Sequence, residues 1–332
     1  MIARVLFFVL GISCWVCGAA LENSIVPIVE KFEMVENLSA SKYAPGQYAQ
    51  IVESLKRKAD RIRVVSYNVL FNINDESLDP INRWKERLPR IVELLTEMQP
   101  DVIGVQELFR SQFDDLLPLI AKTYGVYYDV KGQGELNAIF YRKGRFEQVK
   151  GEVVRLSKPD KLDICSTLTC LELLDKKSNQ KVIFFNTHLP FEGIAKREEN
   201  AIKIAEIISS YPDQQPIVLM GDFNTFPNRP DLSALPAFDG DYIKQILTTH
   251  APLKDAMGRA LVGHVGPIAT FTNVPEGKTP FKGLGTPGVI LDHIYISKGI
   301  VPLLHAIQPA TVGGHFPSDH MPVFIDCVLK IE

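Results

Sequence analysis

The sequence predicts an α/β fold in which β-sheets form the middle of the protein and helices lie outside them. Short apolar runs typical of buried strands alternate with longer segments whose apolar residues recur at helical spacing. No internal repeat is found. The composition, 46% hydrophobic and 23% charged over 332 residues, suits a globular protein with a large core.

The first residues have the pattern of a targeting segment. Arg4 supplies a positive charge, residues 5–16 are almost continuously apolar, and residues 17–20 are small. The apolar run is slightly shorter than the roughly 20 residues that a membrane span needs. We therefore predict a signal peptide over residues 1–21 and an exported protein, periplasmic or secreted. A membrane anchor at the N-terminus and a buried helix are the alternatives.

Residues 22–61 differ in composition from the remainder of the chain. Pro27, Pro45 and Gly46 indicate an extended or partly helical lead-in. We expect it to pack against the main domain without chemistry of its own. No later shift in composition marks another boundary, so residues 62–332 are predicted to form one domain of about 270 residues.

Strands and helices are predicted in turn along this domain. In the first helix, Leu88, Ile91, Leu94 and Leu95 lie at helical spacing, and Pro100 ends the segment. Helices are predicted over residues 83–98, 111–124 and 197–210. Strands are predicted over residues 64–70, 101–105, 137–142, 165–174, 182–187, 217–220, 289–297 and 321–329. Residues 240–288 are expected to be rich in loops.

Three cysteines follow the leader, namely Cys165, Cys170 and Cys327. The first two lie in one predicted strand at odd spacing, so their side chains would point to opposite faces and could not easily form a disulfide. We expect thiols that pack as small hydrophobic side chains.

Polar side chains stand where several of these strands end. Asn68 interrupts a run that should be buried, and a buried amide without a hydrogen bond costs a few kcal/mol. Other strands end in Glu107, in His188, and in the pair Asp222 and Asn224. Residues two apart on an extended chain share a face, so this last pair can address one ligand.

Near the C-terminus, Asp292-His293 and Asp319-His320 repeat the pattern. One such cluster alone is typical of a turn or a cap, but six in one chain indicate a functional site. Carboxylate and amide oxygens suit Mg²⁺ or Mn²⁺, and histidines can act as acids, bases or phosphate contacts. The sequence lacks the HExxH, P-loop and GxSxG motifs, which argues against those enzyme classes.

In chain order these segments resemble the motifs of the endonuclease/exonuclease/phosphatase superfamily. The motifs are SYNVL, PDVIGVQE, NTHL, GDFN, LDHIYIS and SDHMPV, and they cover roughly residues 63–331. The superfamily includes deoxyribonuclease I, apurinic/apyrimidinic endonucleases, bacterial neutral sphingomyelinases, inositol-polyphosphate 5-phosphatases and deadenylases. The resemblance implies a four-layered α/β/β/α sandwich, with two mixed sheets face to face and helices outside.

The resemblance also implies a metal site. Glu107 resembles the principal metal carboxylate, with Asn68 beside it and Asp319 completing the metal sphere. The implied cofactor is Mg²⁺, or Mn²⁺ in its place.

Catalytic roles are implied by the same resemblance. Asp222 and Asn224 match the pair that positions the attacking water and the phosphate, and His188 matches the histidine that binds the phosphate. His320, oriented by Asp292, matches the acid/base histidine. A carboxylate behind an imidazole fixes its tautomer and favours its charged form. We favour Asp222 as the base, with His320 as its electrostatic partner.

Three further residues are candidate substrate contacts. Asn137 and Tyr141 lie in GELNAIFYR, which resembles a family strand that contacts phosphate or substrate. Glu135 is an alternative in that strand, and core packing is the competing interpretation of Tyr141. Arg197 comes after the His188 strand in the sequence. It is interpreted as a substrate contact, a solvated charge or a support for that strand.

The predicted reaction is hydrolysis of a phosphate mono- or diester by in-line attack of water, assisted by the metal. The net charge of −3 gives no general basic field of the kind that binds nucleic acid, although a metal ion can supply positive charge locally. Residues 263–288 carry Phe271, Val274 and Phe281, as an apolar lipid-binding loop would, but they also carry Lys278 and Lys282, so the character of this loop stays open. We therefore predict a phospholipid or phosphoinositide-type substrate in preference to nucleic acid.

Two other interpretations stay open. One is an exported nuclease, and the other is a catalytically inactive binding module on the same fold. The predicted partners are the phosphate-ester substrate (lipid, nucleic acid or small phosphodiester) and, for a lipid, a membrane surface. No protein partner is evident.

Overall fold

Two mixed β-sheets lie face to face, and helices cover their outer surfaces, as the sequence predicts. The structure is a computed structural model. It describes residues 60–130, 134–157, 166–191, 193–225, 242–272, 289–309 and 311–330.

The strands of the described residues fall into two sheets. In chain order they are β1 (Ile62–Asn68), β2 (Val102–Gln106), β3 (Tyr124–Tyr127), β4 (Ile139–Arg142), β5 (Phe146–Arg155), β6 (Thr167–Asp175), β7 (Gln180–His188), β8 (Ile217–Asp222), β9 (Lys254–Asp255), β10 (His264–Val265), β11 (Asp292–Ile296), β12 (Ile300–Ile307) and β13 (Val323–Leu329). The first sheet has the order β10-β12-β13-β1-β2-β4-β3, and the second has the order β5-β6-β7-β8-β11-β9. The neighbours β1 and β2, β10 and β12, and β7 and β8 are parallel, and the others are antiparallel.

Four α-helices form the outer layers of the described structure. They are α1 (Trp84–Met98), α2 (Arg110–Ile120), α3 (Ile194–Ser209) and α4 (Tyr242–His250). Phe113 of α2 stacks on Phe140 of β4 with ring centroids 6.2 Å apart, which places α2 on the first sheet. Ile204 of α3 and Leu247 of α4 pack with Phe185 on the outer face of the second sheet. Among the described residues, no helix is long and apolar enough to cross a membrane.

One core fills the space between the sheets. Val64 and Val102 of the first sheet pack there with Phe184, Met220 and Ile294 of the second. The central strands β1 and β2 are almost entirely buried because helices cover their other face. This explains why their sequences are nearly continuous apolar runs rather than alternating ones.

Several elements differ from the sequence prediction. Residues 240–288, expected to be rich in loops, also contain α4, β9 and β10. The helix predicted over 111–124 ends at Ile120, and the aromatic run Tyr124–Tyr127 forms β3 instead. The sequence prediction lacks β5, an edge strand rich in exposed polar residues, and β12, in which Pro302 stands beside a bulge.

The predicted leader, nearly all of the lead-in segment, Cys165 and Phe281 lie outside the described residues. The domain boundaries therefore stay predictions. Cys170 and Cys327 are free thiols, and the first is half-buried with its Sγ 3.6 Å from the Tyr211 hydroxyl.

Candidate functional site

Strand ends from both sheets meet at one edge of the sandwich. In the first sheet, Asn68 at the end of β1 pairs with Gln106 at the end of the parallel β2. In the second sheet, Asp222 at the end of β8 pairs with His188 of the parallel β7 and with Asp292 of the antiparallel β11. Residues that are far apart in the chain therefore become neighbours.

Two glycines allow close approach beneath this edge. A Cβ on Gly221 would lie 2.1 Å from the carbonyl oxygen of Thr187 in β7. A Cβ on Gly104 would lie 2.7 Å from Oδ1 of Asn186, which belongs to the other sheet. The glycines of GDFN and PDVIGVQE are therefore steric requirements of the packing.

A buried polar bridge joins the two sheets under the site. Nε2 of Gln106 donates to Oδ1 of Asn186 at 2.6 Å, and Nδ2 of Asn186 donates to the carbonyl oxygens of Val105 at 3.0 Å and Ala138 at 3.1 Å. Buried amides need such partners, so these bonds fix how the sheets face each other.

Asn68 forms a second bridge at the site itself. Its side-chain nitrogen donates to Oε1 of Glu107 at 3.0 Å and to Oδ2 of Asp222 at 3.1 Å. Its oxygen accepts the backbone N–H of Leu70 at 3.0 Å. The nitrogen of the amide thus faces the carboxylates, so Asn68 orients the acids in this structure. To serve as a metal ligand, its amide group would have to turn.

Glu107 is half-buried in a strongly anionic environment. Its Oε2 accepts the backbone N–H of Phe71 at 3.0 Å. Burial, and then the charge of Asp319, raise the pKa of Glu107 to about 7, against the opposing effects of His188 and of the Asn68 hydrogen bond. A cation beside these two acids would relieve their repulsion.

Arg87 of α1 holds the loops that carry these acids. Its fully buried guanidinium donates to the carbonyl oxygens of Val69, of Leu70 at 2.9 Å and of Pro317 at 3.3 Å. It therefore ties the end of β1 to the segment that leads into Asp319.

His188 belongs to the first of two carboxylate–histidine pairs. Its Nδ1 lies 3.0 Å from Oε1 and 3.1 Å from Oε2 of Glu135. The same Oε1 accepts the backbone N–H of Glu107 at 2.6 Å. Burial alone would lower the pKa of His188, but Glu135, followed by Asp222 and Glu107, raises this pKa to about 10. The charged imidazole is therefore favoured.

Asp292 and His320 form the second pair. Nδ1 of His320 lies 2.7 Å from Oδ2 of Asp292, whose backbone N–H donates to the Thr270 hydroxyl at 3.2 Å. The Phe271 ring packs edge-on against the imidazole, with centroids 5.2 Å apart. Burial alone would lower the pKa of His320, but Asp292 raises it well above its ordinary value.

Asp222 lies between the two pairs. Its Oδ2 is 3.7 Å from Nε2 of His188 and 3.7 Å from Nε2 of His320, and its Oδ1 accepts the backbone N–H of Asn224 at 2.9 Å. Burial alone would raise the pKa of Asp222, but the two imidazoles and the Asn224 N–H hold it below its ordinary value. Asp222 is thus an ionised carboxylate between two charged rings.

Asn224 lies on the far side of His188, where its amide nitrogen cannot hydrogen-bond to a charged imidazole because both groups are donors. Its Nδ2 donates to the carbonyl oxygen of Leu189 at 2.8 Å and lies 3.0 Å from Nε2 of His188. Its φ of 48° is in the left-handed region, which asparagine tolerates better than most residues.

The described part of the site is anionic. Five carboxylates face two imidazoles, and the nearby guanidinium of Arg87 has an acid of its own, Asp75, 3.9 Å away. The carboxylates belong to Glu107, Glu135, Asp222, Asp292 and Asp319.

Two groups of residues offer themselves as metal ligands. Possible ligand atoms of Asp222, Asp292 and His320 lie within 4.8 Å of one another. Asp292 raises the pKa of His320 well above its ordinary value, however, and a charged imidazole cannot bind a cation. Glu107 and Asp319 offer the hard oxygen donors that Mg²⁺ and Mn²⁺ prefer.

Two of the candidate substrate contacts do not reach this cluster. Asn137 is fully buried and donates to the Thr167 hydroxyl at 2.9 Å, so it links strands beneath the site. Tyr141 pairs with Val102 at the start of β2, five residues before Glu107. At about 3.3 Å per residue, this puts Tyr141 roughly 16 Å from the site end of the sheet. Substrate contact is the wrong interpretation of both residues.

Arg197 supports the site instead of lining it. Its side chain is fully buried and donates to the carbonyl oxygens of Pro190 at 3.0 Å and Phe191 at 2.6 Å. These bonds hold the loop that follows His188. Of the three interpretations of Arg197, the support for the strand is the one that matches its contacts.

The main residue that the sequence prediction leaves unassigned is Glu135. It is one of three alternatives in GELNAIFYR, and only it reaches both His188 and Glu107. The available signal is an acid directly ahead of an apolar strand, which a solvent-exposed turn would also produce.

Comparison with known proteins places these features in a family. The Endonuclease/Exonuclease/phosphatase family profile matches residues 65–320. A curated relative, Carbon catabolite repressor protein 4 homolog 3 of Arabidopsis thaliana, is 28% identical over 187 residues, which are 52% of this chain and 41% of that protein. The chain spans less than two thirds of the length of the first curated relatives that it matches.

Solved structures share the fold. An endonuclease/exonuclease/phosphatase from Bacteroides vulgatus superimposes with a TM-score of 0.68 at 24% identity, covering 81% of this chain and 99% of that chain. A mannosyl-6-phosphatase from Bacteroides thetaiotaomicron superimposes with a TM-score of 0.65 at 22% identity, covering 81% and 100%. With the profile match over most of the chain and the two carboxylate–histidine pairs at the strand ends, the chain belongs to the endonuclease/exonuclease/phosphatase family of phosphoesterases.

Proposed function

We propose that this protein hydrolyses a phosphate mono- or diester with Mg²⁺ or Mn²⁺, by in-line attack of water. One observation carries the proposal. Nε2 atoms of His188 and His320 each lie 3.7 Å from the same oxygen of Asp222, and a buried carboxylate stands behind each ring. A base flanked by two cationic donors suits a reaction in which water loses a proton while a phosphate gains negative charge.

The residues divide this work. Asp222 is ionised and accepts the proton of the attacking water, and Asn224 holds it through a backbone N–H at 2.9 Å. His320, kept charged by Asp292, donates to an oxygen of the phosphoryl group. His188, kept charged by Glu135, donates from the other side. Because these donors are already oriented, they require little rearrangement during the reaction.

Glu107 and Asp319 would hold the cation, with Asn68 orienting the acids around it. A bound cation would supply Lewis acidity that offsets charge on the phosphate oxygens. The anionic excess around Glu107 supports this assignment.

A hydrolysis assay tests the reaction class. We expect the protein to cleave bis(p-nitrophenyl) phosphate with Mg²⁺ or Mn²⁺ and to lose this activity with a chelator or in Glu107→Ala. Glu97→Ala removes an exposed acid on α1 and serves as the matched control. A rate that survives chelation would contradict the metal assignment, and a folded protein without any activity would favour an inactive binding module.

For the natural substrate we propose a phospholipid or phosphoinositide-type ester. Its support is the absence of a general basic field, with a net charge of −3. Exported nuclease activity is the second candidate, favoured by the half-buried Phe71 and Phe109 rings beside Glu107, which could stack on bases. A panel of sphingomyelin, phosphoinositides, single- and double-stranded DNA and RNA, assayed with each metal, separates the two.

We further propose that residues 1–21 direct export, or anchor the protein to a membrane. The support is the sequence pattern alone. Expression of the full chain followed by mass measurement and fractionation tests this. A protein that keeps residues 1–21 and stays in the cytosol would contradict both forms of the proposal.

A further inference from the structure

Arg110 stands beside the site with an unusual set of contacts. It is the first residue of α2, three positions after Glu107, and the intervening residues are attached to the Glu135 segment. Phe109 forms an isolated bridge with Glu135, and the backbone N–H of Leu136 donates to Leu108 at 3.0 Å. Three residues span at most about 10 Å, so the Arg110 side chain is within reach of a group next to the scissile phosphate.

Aromatic rings hold the Arg110 guanidinium in place. Its centre lies 5.5 Å from the centroid of Tyr128 and 5.9 Å from that of Phe113, and one nitrogen donates to the carbonyl oxygen of Val130 at 3.2 Å. A guanidinium stacked on rings keeps its planar fork of donors fixed and loses less entropy when it binds an anion.

No carboxylate pairs with this guanidinium among the residues that the structure describes. Asp129, which lies between Tyr128 and Val130 in sequence, has an oxygen 3.9 Å from Arg155 instead. Arg110 is also only half-buried. An oriented arginine that has no acidic partner within the described ranges, next to the site of an enzyme that acts on phosphate esters, is suited to an anion supplied by the substrate.

Two rings border the path from Glu107 to Arg110. The backbone of Phe71 donates to Glu107 at 3.0 Å, and the Phe71 and Phe109 rings meet edge-on with centroids 6.0 Å apart. Both rings are half-buried, so part of each surface can contact a bound molecule.

We propose that Arg110 binds a second phosphate of the substrate, while Phe71 and Phe109 contact the part of the molecule that joins the two phosphates. This proposal rests on the proposed phosphoesterase function and narrows its substrate. It favours esters with a further phosphate, such as phosphoinositides or nucleotides, over lipids with a single phosphate and a cationic choline group, which Arg110 would repel.

A matched pair of chromogenic substrates tests the proposal. Thymidine 5′-(p-nitrophenyl phosphate) carries one phosphate, and the same ester with a 3′-phosphate carries two. We expect the wild-type KM to be about tenfold or more lower for the second ester, as a charge-assisted contact gives. Arg110→Ala should remove this preference and leave kcat for the first ester nearly unchanged. Arg110→Lys, which keeps the charge but loses the fork, should retain part of it.

Controls separate this subsite from a structural role. Lys143→Ala removes an exposed cation in the turn at the opposite end of β4 and should keep the full preference. Inhibition by thymidine 3′,5′-bisphosphate and by an inositol bisphosphate shows which source of second phosphate binds better, and either must weaken in Arg110→Ala.

Equal wild-type KM values for the two esters would overturn the Arg110 subsite while leaving the proposed function intact. A preference that persists in folded Arg110→Ala would do the same. If the wild-type protein with Mg²⁺ or Mn²⁺ cleaves neither ester nor bis(p-nitrophenyl) phosphate, the proposed function itself fails.

Discussion

A single carboxylate, Glu135, positions two groups of the site at once. Its Oε1 lies 3.0 Å from Nδ1 of His188 and accepts the Glu107 backbone N–H at 2.6 Å. Its charge is the chief influence that raises the pKa of His188 against burial. Loss of that charge should therefore be visible in how His188 titrates.

Glu135→Gln keeps the shape of the side chain and removes the charge. We expect kcat to fall about ten- to hundredfold, as for other residues that orient a reacting group through a hydrogen bond. The pKa of His188 should also drop from about 10, so the variant should lose activity at a lower pH than the wild type as pH rises. The measurement is kcat against pH at saturating metal.

The control for this variant is Glu147→Gln, an exposed residue of β5. It should leave kcat and the pH profile unchanged. A Glu135→Gln protein with a wild-type profile on the alkaline side would remove Glu135 from the positioning of His188.

The sequence can indicate single residues only where their surroundings make them unusual. Asn68 and Glu107 stand out because a polar group ends an apolar run. Glu135 lies ahead of its strand, where an acid is ordinary. Tyr141 is misplaced by the sequence because spacing along one chain does not give the register between strands, and the register decides which end of β4 faces the site.

Among the elements, the parallel pair β7 and β8 leaves no room for a side chain at Gly221. Gly221→Ala would place a Cβ 2.1 Å from the carbonyl oxygen of Thr187, which is backbone and cannot move alone. We expect the free energy of unfolding to fall by about 1–3 kcal/mol or more, as overpacking typically costs. Chemical denaturation measures it. Gly144→Ala, where a Cβ meets nothing within 4 Å, is the control, and equal stability of the two variants would refute the steric argument.

Two buried or half-buried histidines, His264 and His305, contact each other next to the segment that runs from β10 to Phe271. Nδ1 of His264 lies 2.8 Å from Nδ1 of His305, and Nε2 of His264 lies 3.0 Å from the Pro267 carbonyl oxygen. The Pro267 carbonyl oxygen accepts a hydrogen bond from Nε2 of His264, which places the proton of the neutral His264 ring on that nitrogen. Nδ1 of His264 is then an acceptor, and Nδ1 of His305 donates to it. Both rings are then neutral, and a further proton on His264 would break the bond.

Acid should weaken this pair. Burial lowers the pKa of His264. Burial, and then the repulsion that protonated His264 and His293 rings would exert, lowers the pKa of His305 to about 3, and the carboxylate of Asp255 opposes this shift. Because both folded-state values lie below the ordinary value of about 6.5, the stability that the pair contributes is present above that pH and is lost as pH falls toward 3.

Thermal unfolding tests this between about pH 7 and pH 5, above the range in which most carboxylates titrate. We expect the Tm of the wild type to fall on acidification and the Tm of His305→Leu to fall less. His315→Leu, at an exposed histidine, should behave as the wild type does. Parallel pH dependence in the wild type and His305→Leu would contradict the assignment.

Elements differ in how well the sequence predicts them. The buried strands β1, β2, β7 and β8 are readily found, since helices and the opposite sheet cover both faces and leave unbroken apolar runs. The edge strand β5 alternates with exposed charges, and β12 contains Pro302, so each lacks that signal. The helix α4 lies in a stretch whose many loop residues conceal its short apolar face.

At the scale of the molecule, each sheet supplies half of the site. Asn68 and Glu107 come from the first sheet, and His188 and Asp222 come from the second. The order of the motifs along the chain predicts the family and hence the sandwich, but no pattern within one segment shows which residues face each other across it. The contacts between Gln106 and Asn186 determine that arrangement, and although each residue ends or interrupts an apolar run, the sequence does not show that the two meet.

Asn186→Leu should therefore lower the free energy of unfolding, even though the two side chains are similar in size. It removes the 2.6 Å acceptor of Nε2 of Gln106, which keeps Oγ of Ser66 at 3.1 Å, and it removes the side-chain donor to the buried carbonyl oxygens of Val105 and Ala138. The Ala138 oxygen keeps the backbone N–H of Val105 at 2.9 Å, so the Val105 oxygen is the group that this change leaves without its donor. An unsatisfied buried group costs about 1–3 kcal/mol, so we expect a loss of stability in that range in denaturant unfolding.

Thr169→Val is the matched control for this change. Thr169 pairs with Asn186 in the neighbouring strand β6 and is equally buried, but its hydroxyl has no hydrogen-bond partner within the described structure. Replacing an unpaired buried hydroxyl with a methyl group should be neutral or stabilising. If Asn186→Leu proves no more harmful than Thr169→Val, then apolar packing alone holds the sheets together, and the polar bridge has no part in setting how the two halves of the site meet.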